Sequence, residues 1–308
     1  MTIDLTKLYG LTPAIATPLD SKGQFDPTAY RRLIGFILDA GVSGAFVLGV
    51  AGEYSAFDRR ERRRIIETAR EAVGGRVPLI AGVFATRTET ALDYIADARA
   101  EGADYVLLTP PHWFRLSQAE IRDFYVRLAE EGGAPVIAYN CPLVNNQLTF
   151  ETVAELAEHP LVAGIKETST QENLQRIWAA VGHRTDFLVM SGWEYLYLPA
   201  MSLGIRAFIM GGPGNLVPYW CMEVLRKFGE GESAAARDSY LGLTEFCHRI
   251  YGLGLSPMAA IKAGLEQLGL CERFVFSPYR SANESEMAAI GRLLEEHSLL
   301  PASAAIPV

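Results

Sequence analysis

The sequence predicts an α/β protein built on a (β/α)8 TIM barrel, followed by a C-terminal helical appendage. Three observations support this prediction. Short apolar runs alternate with segments of helical periodicity eight times between residues 14 and 228. The runs are apolar throughout, as in parallel strands that are buried on both faces. The length of 308 residues suits one large barrel with an added helical region.

Each predicted strand is a short apolar run, and Gly, Pro or Asp bounds most of these runs. Because these residues favour turns, they mark where a strand ends. The eight predicted strands lie at residues 14–17, 45–48, 78–83, 105–108, 135–139, 162–165, 187–190 and 207–210.

Seven predicted helices separate the strands, and several begin with Thr, Ser or Asp, which are favoured N-cap residues. They span residues 27–40, 58–73, 86–100, 117–131, 150–158, 170–181 and 195–203. Four more helices are predicted at residues 218–228, 233–251, 257–268 and 284–297.

The first of the last four helices can complete the barrel. We therefore assign residues 1–228 to a barrel that carries the active site and residues 229–308 to a C-terminal helical domain. A doubly wound open sheet is the alternative fold. It usually has fewer strands and often a G-x-G-x-x-G motif after the first strand, where this sequence has none.

Charge and composition limit the possible partners. The net charge of −8 gives no basic field, so neither nucleic acid nor an anionic membrane is expected to bind. No export signal or membrane-spanning segment is predicted. The cysteines Cys141, Cys221, Cys247 and Cys271 form no C-x-x-C pair and are expected to be reduced thiols. These features predict a cytoplasmic protein.

Metal and cofactor chemistry is not expected. The histidines His112, His159, His183, His248 and His297 form no H-x-H or H-E-x-x-H pair. No P-loop or G-x-S-x-G motif is present either. The sequence therefore offers no ligand set for a metal-dependent aldolase, and no cofactor is predicted.

Lys166 is the most informative candidate for a reactive residue. Reactive groups in barrels lie at the C-terminal ends of strands, and Lys166 ends the apolar strand predicted at residues 162–165. Desolvation lowers the pKa of a lysine. A decrease of about three units, which corresponds to about 4 kcal/mol, would leave an uncharged amine that can form a Schiff base. The alternative is a structural ion pair. Glu167 is a poor partner for such a pair because adjacent strand residues point to opposite faces.

Other strand ends carry weaker candidates. Tyr139 ends the preceding strand and could transfer protons beside Lys166, although tyrosine is also an ordinary rim residue. The backbone N–H groups of the glycine-containing turn at 49–53 could bind an anion, and Glu53 is expected to brace the chain rather than react. The glycine-rich segment 211–215 is either a plain turn or a phosphate site.

Together these residues resemble the dihydrodipicolinate synthase / N-acetylneuraminate lyase family of Schiff-base class I aldolases over essentially the whole chain. The matching motifs are Ala16-Thr-Pro18, Gly49-x-x-Gly52-Glu53, Thr109-Pro110, Tyr139-Asn-x-Pro142, Gly164-Ile-Lys166, Pro257-Met-Ala-Ala-Ile-Lys262 and Ser277-Pro278. The resemblance implies a barrel with a C-terminal helical domain that usually assembles as a homotetramer. A dimer is the alternative assembly.

The resemblance also implies roles for individual residues. Lys166 would form the imine with pyruvate or another 2-oxo acid, and Tyr139 would shuttle protons. The backbone around Ala51 and Gly52 would hold the α-carboxylate, and the carbonyl of about Met210 would line the site.

Several positions depart from the family pattern. Val50 and Ala51 stand where many relatives have hydroxyl residues that bind carboxylate and relay protons. His112 and Trp113 stand where relatives often have a pair of tyrosines, so a tyrosine that reaches into a neighbouring subunit is not expected, and His112 becomes a candidate substrate contact.

Two further positions bear on the substrate. Val144 replaces the arginine with which true synthases bind a second carboxylate, and an apolar side chain cannot make such bidentate contacts. Glu194 lies near the position where sialic-acid lyases direct an acid toward substrate hydroxyls, although it could equally lie in helix-start packing.

We therefore predict a pyruvate-type Schiff-base lyase that acts by retro-aldol cleavage or dehydration, with a 2-keto-3-deoxy sugar acid as a candidate substrate. One alternative is dihydrodipicolinate synthase with its arginine supplied elsewhere. The other is a non-catalytic barrel that binds a 2-oxo acid.

Overall fold

The computed structural model describes residues 4–300, and these residues form the predicted (β/α)8 barrel with C-terminal helices. The sheet is parallel, in the order β1-β8-β7-β6-β5-β4-β3-β2. A bridge between Ala14 and Phe46 joins the end of β1 to β2 and closes the cylinder. The strands are β1 (Gly10–Pro13), β2 (Ala45–Val47), β3 (Leu79–Gly82), β4 (Tyr105–Leu108), β5 (Val136–Asn140), β6 (Val162–Glu167), β7 (Leu188–Ser191) and β8 (Ala207–Met210).

Helices cover the outside of the barrel, and capping side chains fix where many of them begin. Asp58, Ser117 and Asn283 each form a capping box with the glutamate three residues later. The helices are α1 (Pro27–Asp39), α2 (Arg59–Val73), α3 (Thr88–Ala100), α4 (Gln118–Gly132), α5 (Phe150–Leu156), α6 (Gln171–Val181), α7 (Tyr197–Ser202), α8 (Gly212–Leu216), α9 (Pro218–Gly229), α10 (Ser233–Tyr251), α11 (Pro257–Gln267) and α12 (Glu284–Glu296).

The first strand lies four residues earlier than predicted, at Gly10–Pro13 instead of 14–17. Its N–H and C=O groups pair with β8, with Gly10 opposite Ala207 and Pro13 opposite Met210. Proline is tolerated there because it is the last residue of the strand. Glycine is favoured at position 10 because its φ of 116° is one that residues with a side chain rarely adopt, and a Cβ atom there would also lie 2.1 Å from the Ser43 hydroxyl oxygen.

The segment 211–215, for which a plain turn or a phosphate site was predicted, is helical from Gly212 onward and forms most of the short helix α8. Asn215 is fully buried there, and its amide donates to the Ala14 carbonyl at 2.8 Å and accepts from the Ala16 N–H at 2.9 Å. These two hydrogen bonds hold the chain directly after β1. The Ala14 N–H still donates to the Met210 carbonyl of β8 at 2.9 Å, and from Ile15 onward the chain turns to β2, where the Ile15 N–H donates to the Phe46 carbonyl at 2.8 Å.

The core has two layers. One fills the barrel interior and includes Phe46, Leu107, Ile137 and Ile209. The other lies between the strands and the helices and continues without a break into α10, α11 and α12. Within residues 4–300, none of the helices combines the length and the apolar character that crossing a bilayer requires.

Candidate active site

Lys166 and Tyr139 lie side by side because the register of the sheet pairs them directly across β5 and β6. Both point into the barrel, where the Lys166 Nζ lies 4.1 Å from the centroid of the Tyr139 ring and 5.5 Å from that of Phe46. Lys166 is 6% exposed. Within residues 4–300, no carboxylate oxygen lies within 4.0 Å of its Nζ, so this lysine is not part of a structural ion pair.

Burial is the main cause that lowers the pKa of Lys166 to about 8, and the nearby Cys141 and Glu194 oppose that shift. Burial also raises the pKa of the Tyr139 hydroxyl well above its usual value. About a tenth of the Lys166 amine is therefore uncharged near neutral pH, far more than for an ordinary lysine, while Tyr139 keeps its proton. An uncharged amine beside a protonated hydroxyl is the pairing that imine chemistry needs.

Glu167 faces away from Lys166, as predicted from strand alternation. Its carboxylate accepts hydrogen bonds from the side-chain amides of Asn140 and Asn173, both at 2.8 Å, and from the Ser169 N–H at 2.5 Å. These bonds tie β5 to β6 and to the start of α6. They stabilise the register that places Tyr139 opposite Lys166.

Gly192 provides the space that the Lys166 side chain occupies. A Cβ atom at this position would lie 2.6 Å from Lys166 Cε and 2.5 Å from Thr168 Cγ2. The contact with Cε is impossible without displacing the Lys166 side chain, and the contact with Cγ2 would displace Thr168 as well, so the glycine immediately after β7 is required for the position of the amine.

We expect Gly192→Ala to slow imine formation by about 10- to 100-fold because the Cβ would displace the amine by a fraction of an ångström or more. Borohydride trapping with pyruvate would measure the rate. The matched control is Gly35→Ala, since a Cβ there meets nothing within 4 Å. An unchanged trapping rate in Gly192→Ala would show that the lysine does not need its present position.

The loop after β2 has the geometry of an anion site. Leu48 and Glu53, at its two ends, adopt left-handed backbone angles with φ of 55° and 52°. The N–H groups of Ala51 and Gly52 donate no hydrogen bond to residues 4–300 and remain available to a ligand. The Thr17 hydroxyl holds the Gly52 carbonyl at 2.9 Å. Left-handed non-glycine residues, which store strain at functional sites, were not predicted from the sequence.

A cavity of about 480 Å³ opens at the same end of the barrel. Its wall includes Tyr139, Val50 and His112 from the predicted site, together with Cys141 and Thr109. Lys166 does not line this wall, but its Nζ lies over the ring of Tyr139, and Tyr139 does line it. A larger depression of about 800 Å³ lies at the opposite end, where none of the predicted site residues is found.

Two further predicted residues, like Lys166, do not line the 480 Å³ cavity. The side chain of Met210 belongs to the outer core layer, and its carbonyl accepts the Ala14 N–H at 2.9 Å. Glu194 is 6% exposed, does not line the cavity and lies beside Tyr251, with its pKa raised mainly by burial. Within residues 4–300, no group of three or more His, Cys, Asp or Glu side chains is arranged to hold a metal ion.

The C-terminal region supplies part of the cavity wall, which sequence reasoning missed. Met258 and residues 276–279 contribute side chains to it. Glu53 joins this wall to the loop after β2, because its carboxylate lies 2.5 Å from the Lys262 Nζ and accepts the Phe276 N–H at 2.9 Å. Lys262 is fully buried and also donates to the Phe274 carbonyl at 2.8 Å. Glu53 thus braces the chain as expected, but through a distant segment.

Comparisons with known proteins agree with this geometry. A model of the dihydrodipicolinate synthetase family matches residues 7–297. The chain is 35% identical over 267 residues to a 4-hydroxy-tetrahydrodipicolinate synthase from Xanthomonas axonopodis pv. citri (strain 306), covering 85% of this chain and 86% of that protein. It is 30% identical over 302 residues to a probable 2-dehydro-3-deoxy-D-pentonate aldolase from Escherichia coli (strain K12), covering 96% of this chain and 100% of that protein.

A solved structure is similar over nearly the whole fold. It is a prophage protein of the dihydrodipicolinic acid synthase family from E. coli K12, in complex with pyruvate. The TM-score is 0.89 and the sequence identity 27%, covering 94% of this chain and 99% of the other.

Proposed function

Since this chain belongs to the dihydrodipicolinate synthetase family, we propose that it is a class I aldolase-type lyase that forms a Schiff base between Lys166 and pyruvate or another 2-oxo acid. The observation that carries the assignment is the buried, unpaired amine in register with Tyr139. The pyruvate complex of a protein with the same fold and 27% identity supports the substrate class.

In the proposed reaction, the uncharged Lys166 amine attacks the keto carbon, water leaves and a C=N bond forms. The imine then accepts the electron pair of the C3–C4 bond as that bond breaks, while Tyr139 relays the proton lost from the C4 hydroxyl. An aldehyde departs and the enamine of pyruvate remains. Protonation at C3 and hydrolysis release pyruvate and regenerate the amine. The same electron sink would support dehydration.

The loop 48–53 would bind the α-carboxylate of the 2-oxo acid. The unpaired N–H groups of Ala51 and Gly52 support this role, since successive backbone amides in a turn form a concave anion site. Val50 and Ala51 carry no hydroxyl group, so carboxylate recognition there depends on the backbone.

Borohydride reduction in the presence of pyruvate tests the proposed function. We expect one covalent adduct, located on Lys166 by peptide mapping. If neither pyruvate nor other 2-oxo acids leave an adduct there, the proposal is wrong. A non-catalytic barrel would bind pyruvate without exchanging the protons of its methyl group, which NMR in D2O detects.

We expect the rate of imine formation at fixed low pyruvate concentration to rise with pH, with a midpoint near pH 8. The pKa of Lys166 is lowered to about 8, so the reactive uncharged amine accumulates above that pH. Glu194→Gln should move the midpoint to lower pH because it removes a negative charge that raises this pKa. Glu223→Gln, on the exposed face of α9, should leave the midpoint unchanged. A midpoint near pH 10 would show that burial does not lower the pKa of Lys166.

We expect Tyr139→Phe to slow the exchange of pyruvate methyl protons by about 10²- to 10⁴-fold, the usual contribution of a positioned acid–base group. Trapping of the imine on Lys166 should persist. The control is Tyr30→Phe, because Tyr30 is fully buried in the outer core layer and its hydroxyl has no hydrogen-bond partner within residues 4–300. Unchanged exchange in Tyr139→Phe would exclude the proton-transfer role.

We also propose that the protein forms a homo-oligomer, a tetramer or a dimer, in the reducing cytoplasm. Trp113, Phe114 and Leu143 are 75%, 76% and 78% exposed, which is unusual for large apolar side chains unless a partner covers them. All four cysteines are free and buried. Light scattering would test the assembly, and a monomer mass at micromolar concentration would contradict it. Intact mass without reductant should show four unmodified thiols.

A further inference from the structure

The wall of the 480 Å³ cavity carries no free charge. Among residues 4–300, no lysine or arginine lines it. Glu53 is the acidic side chain in the wall, and its carboxylate is already bound by the Lys262 ammonium and the Phe276 N–H. His112 supplies no permanent charge. Once Lys166 is bound to the 2-oxo acid, an anionic group that entered the cavity would therefore meet no lysine or arginine in the described part of its wall.

Most of the wall is apolar or aromatic. The rings of Tyr54 and Phe84 stack with their centroids 4.4 Å apart, and Phe84 also meets the edge of the Tyr139 ring at 6.3 Å. Val144 stands in the same wall. Thr109 lines the cavity and is 5% exposed, and its hydroxyl makes no hydrogen bond to residues 4–300, so it can bind a neutral polar atom of a ligand.

These properties favour one class of substituent over another. A carboxylate or phosphate in the cavity would lose its hydration without gaining an ion pair, and that exchange is strongly unfavourable. Neutral carbons would gain by burial against the rings, and a hydroxyl could bind Thr109.

We propose that the part of the substrate beyond C3, which leaves as the aldehyde, is uncharged and packs against Tyr54 and Phe84. The inference rests on the proposed function, because Lys166 must hold the 2-oxo acid end. It excludes aldehydes that carry a carboxylate or a phosphate, and it admits alkyl, aryl and hydroxylated ones.

Two 2-oxo acids of equal length test the proposal. 2-Oxohexanoate and 2-oxoadipate both have six carbons, and only the latter ends in a second carboxylate. Borohydride trapping at increasing concentration gives a half-saturating value for each acid, with pyruvate as the reference. We expect half-saturation by 2-oxohexanoate at a concentration at least about tenfold lower than by 2-oxoadipate.

A variant locates the effect within the cavity. Val144→Arg should reverse the preference because it places a cation in the wall, whereas Leu241→Arg, on the exposed surface of α10, should leave the ratio unchanged. Trapping of pyruvate together with equal or tighter use of 2-oxoadipate would overturn this inference alone. So would failure of both six-carbon acids while pyruvate is trapped. Failure with pyruvate itself would overturn the proposed function.

Discussion

Lys166→Met is expected to abolish imine formation and to lower kcat/KM for the 2-oxo acid substrate by at least about 10⁴-fold, because no other group can replace a covalent nucleophile. Methionine has nearly the length of lysine and no charge, so the barrel interior around Phe46 and Tyr139 should remain filled. The melting temperature should therefore stay the same or rise, since the substitution removes a buried amine that has no ionic partner. Trapping, proton exchange and thermal unfolding measure the three effects.

The control is Lys227→Met, which removes a lysine of α9 that pairs with Glu223 on the helix surface at 2.6 Å. This variant should keep full activity. Retained trapping in Lys166→Met would show that another amine is the nucleophile. Loss of activity together with a much lower melting temperature would show that the lysine is mainly structural.

Lys262→Met is expected to destabilise the protein by about 3–5 kcal/mol, because it leaves the Glu53 carboxylate buried without its partner. The double variant Glu53→Gln/Lys262→Met should recover most of that loss, since a neutral amide can still accept the Phe276 N–H. Urea unfolding measures the free energy of each variant. A double variant as unstable as Lys262→Met would show that packing, not the unpaired charge, causes the loss.

The partly exposed pair between Lys227 and Glu223, whose side chains are 20% and 47% exposed, again supplies the control. Lys227→Met should cost no more than about 0.5 kcal/mol, the usual value of an i,i+4 pair on a helix surface.

In the partly recovered double variant, the half-saturating pyruvate concentration should rise, because the loop 48–53 has lost its anchor. Imine formation at saturating pyruvate should persist.

The barrel and the pairing of Lys166 with Tyr139 could be predicted because both depend on local rules. Strand alternation decides which side chains point inward, and consecutive strands of a β-α-β series are neighbours in the sheet. The same rules correctly predicted that the Glu167 side chain points away from Lys166.

What could not be predicted depends on contacts between distant parts of the chain. The position of β1 depends on the Asn215 amide, which lies about 200 positions away. Glu53 and Phe276 are separated by 223 positions, and no periodicity signals their contact. The left-handed backbone of Leu48 carries no signal either, since leucine rarely adopts it. Glu194 does not line the 480 Å³ cavity, but its negative charge raises the pKa of Lys166, so the structure leaves its predicted role open to test.

The contribution of Met258 and residues 276–279 to the cavity has a consequence for biosynthesis. During translation, β5 and β6, which carry Tyr139 and Lys166, leave the ribosome before this part of the wall. Until α11 and the segment after it emerge, the cavity lacks Met258 and residues 276–279. The cavity can therefore be complete only after nearly the whole described chain has been synthesised.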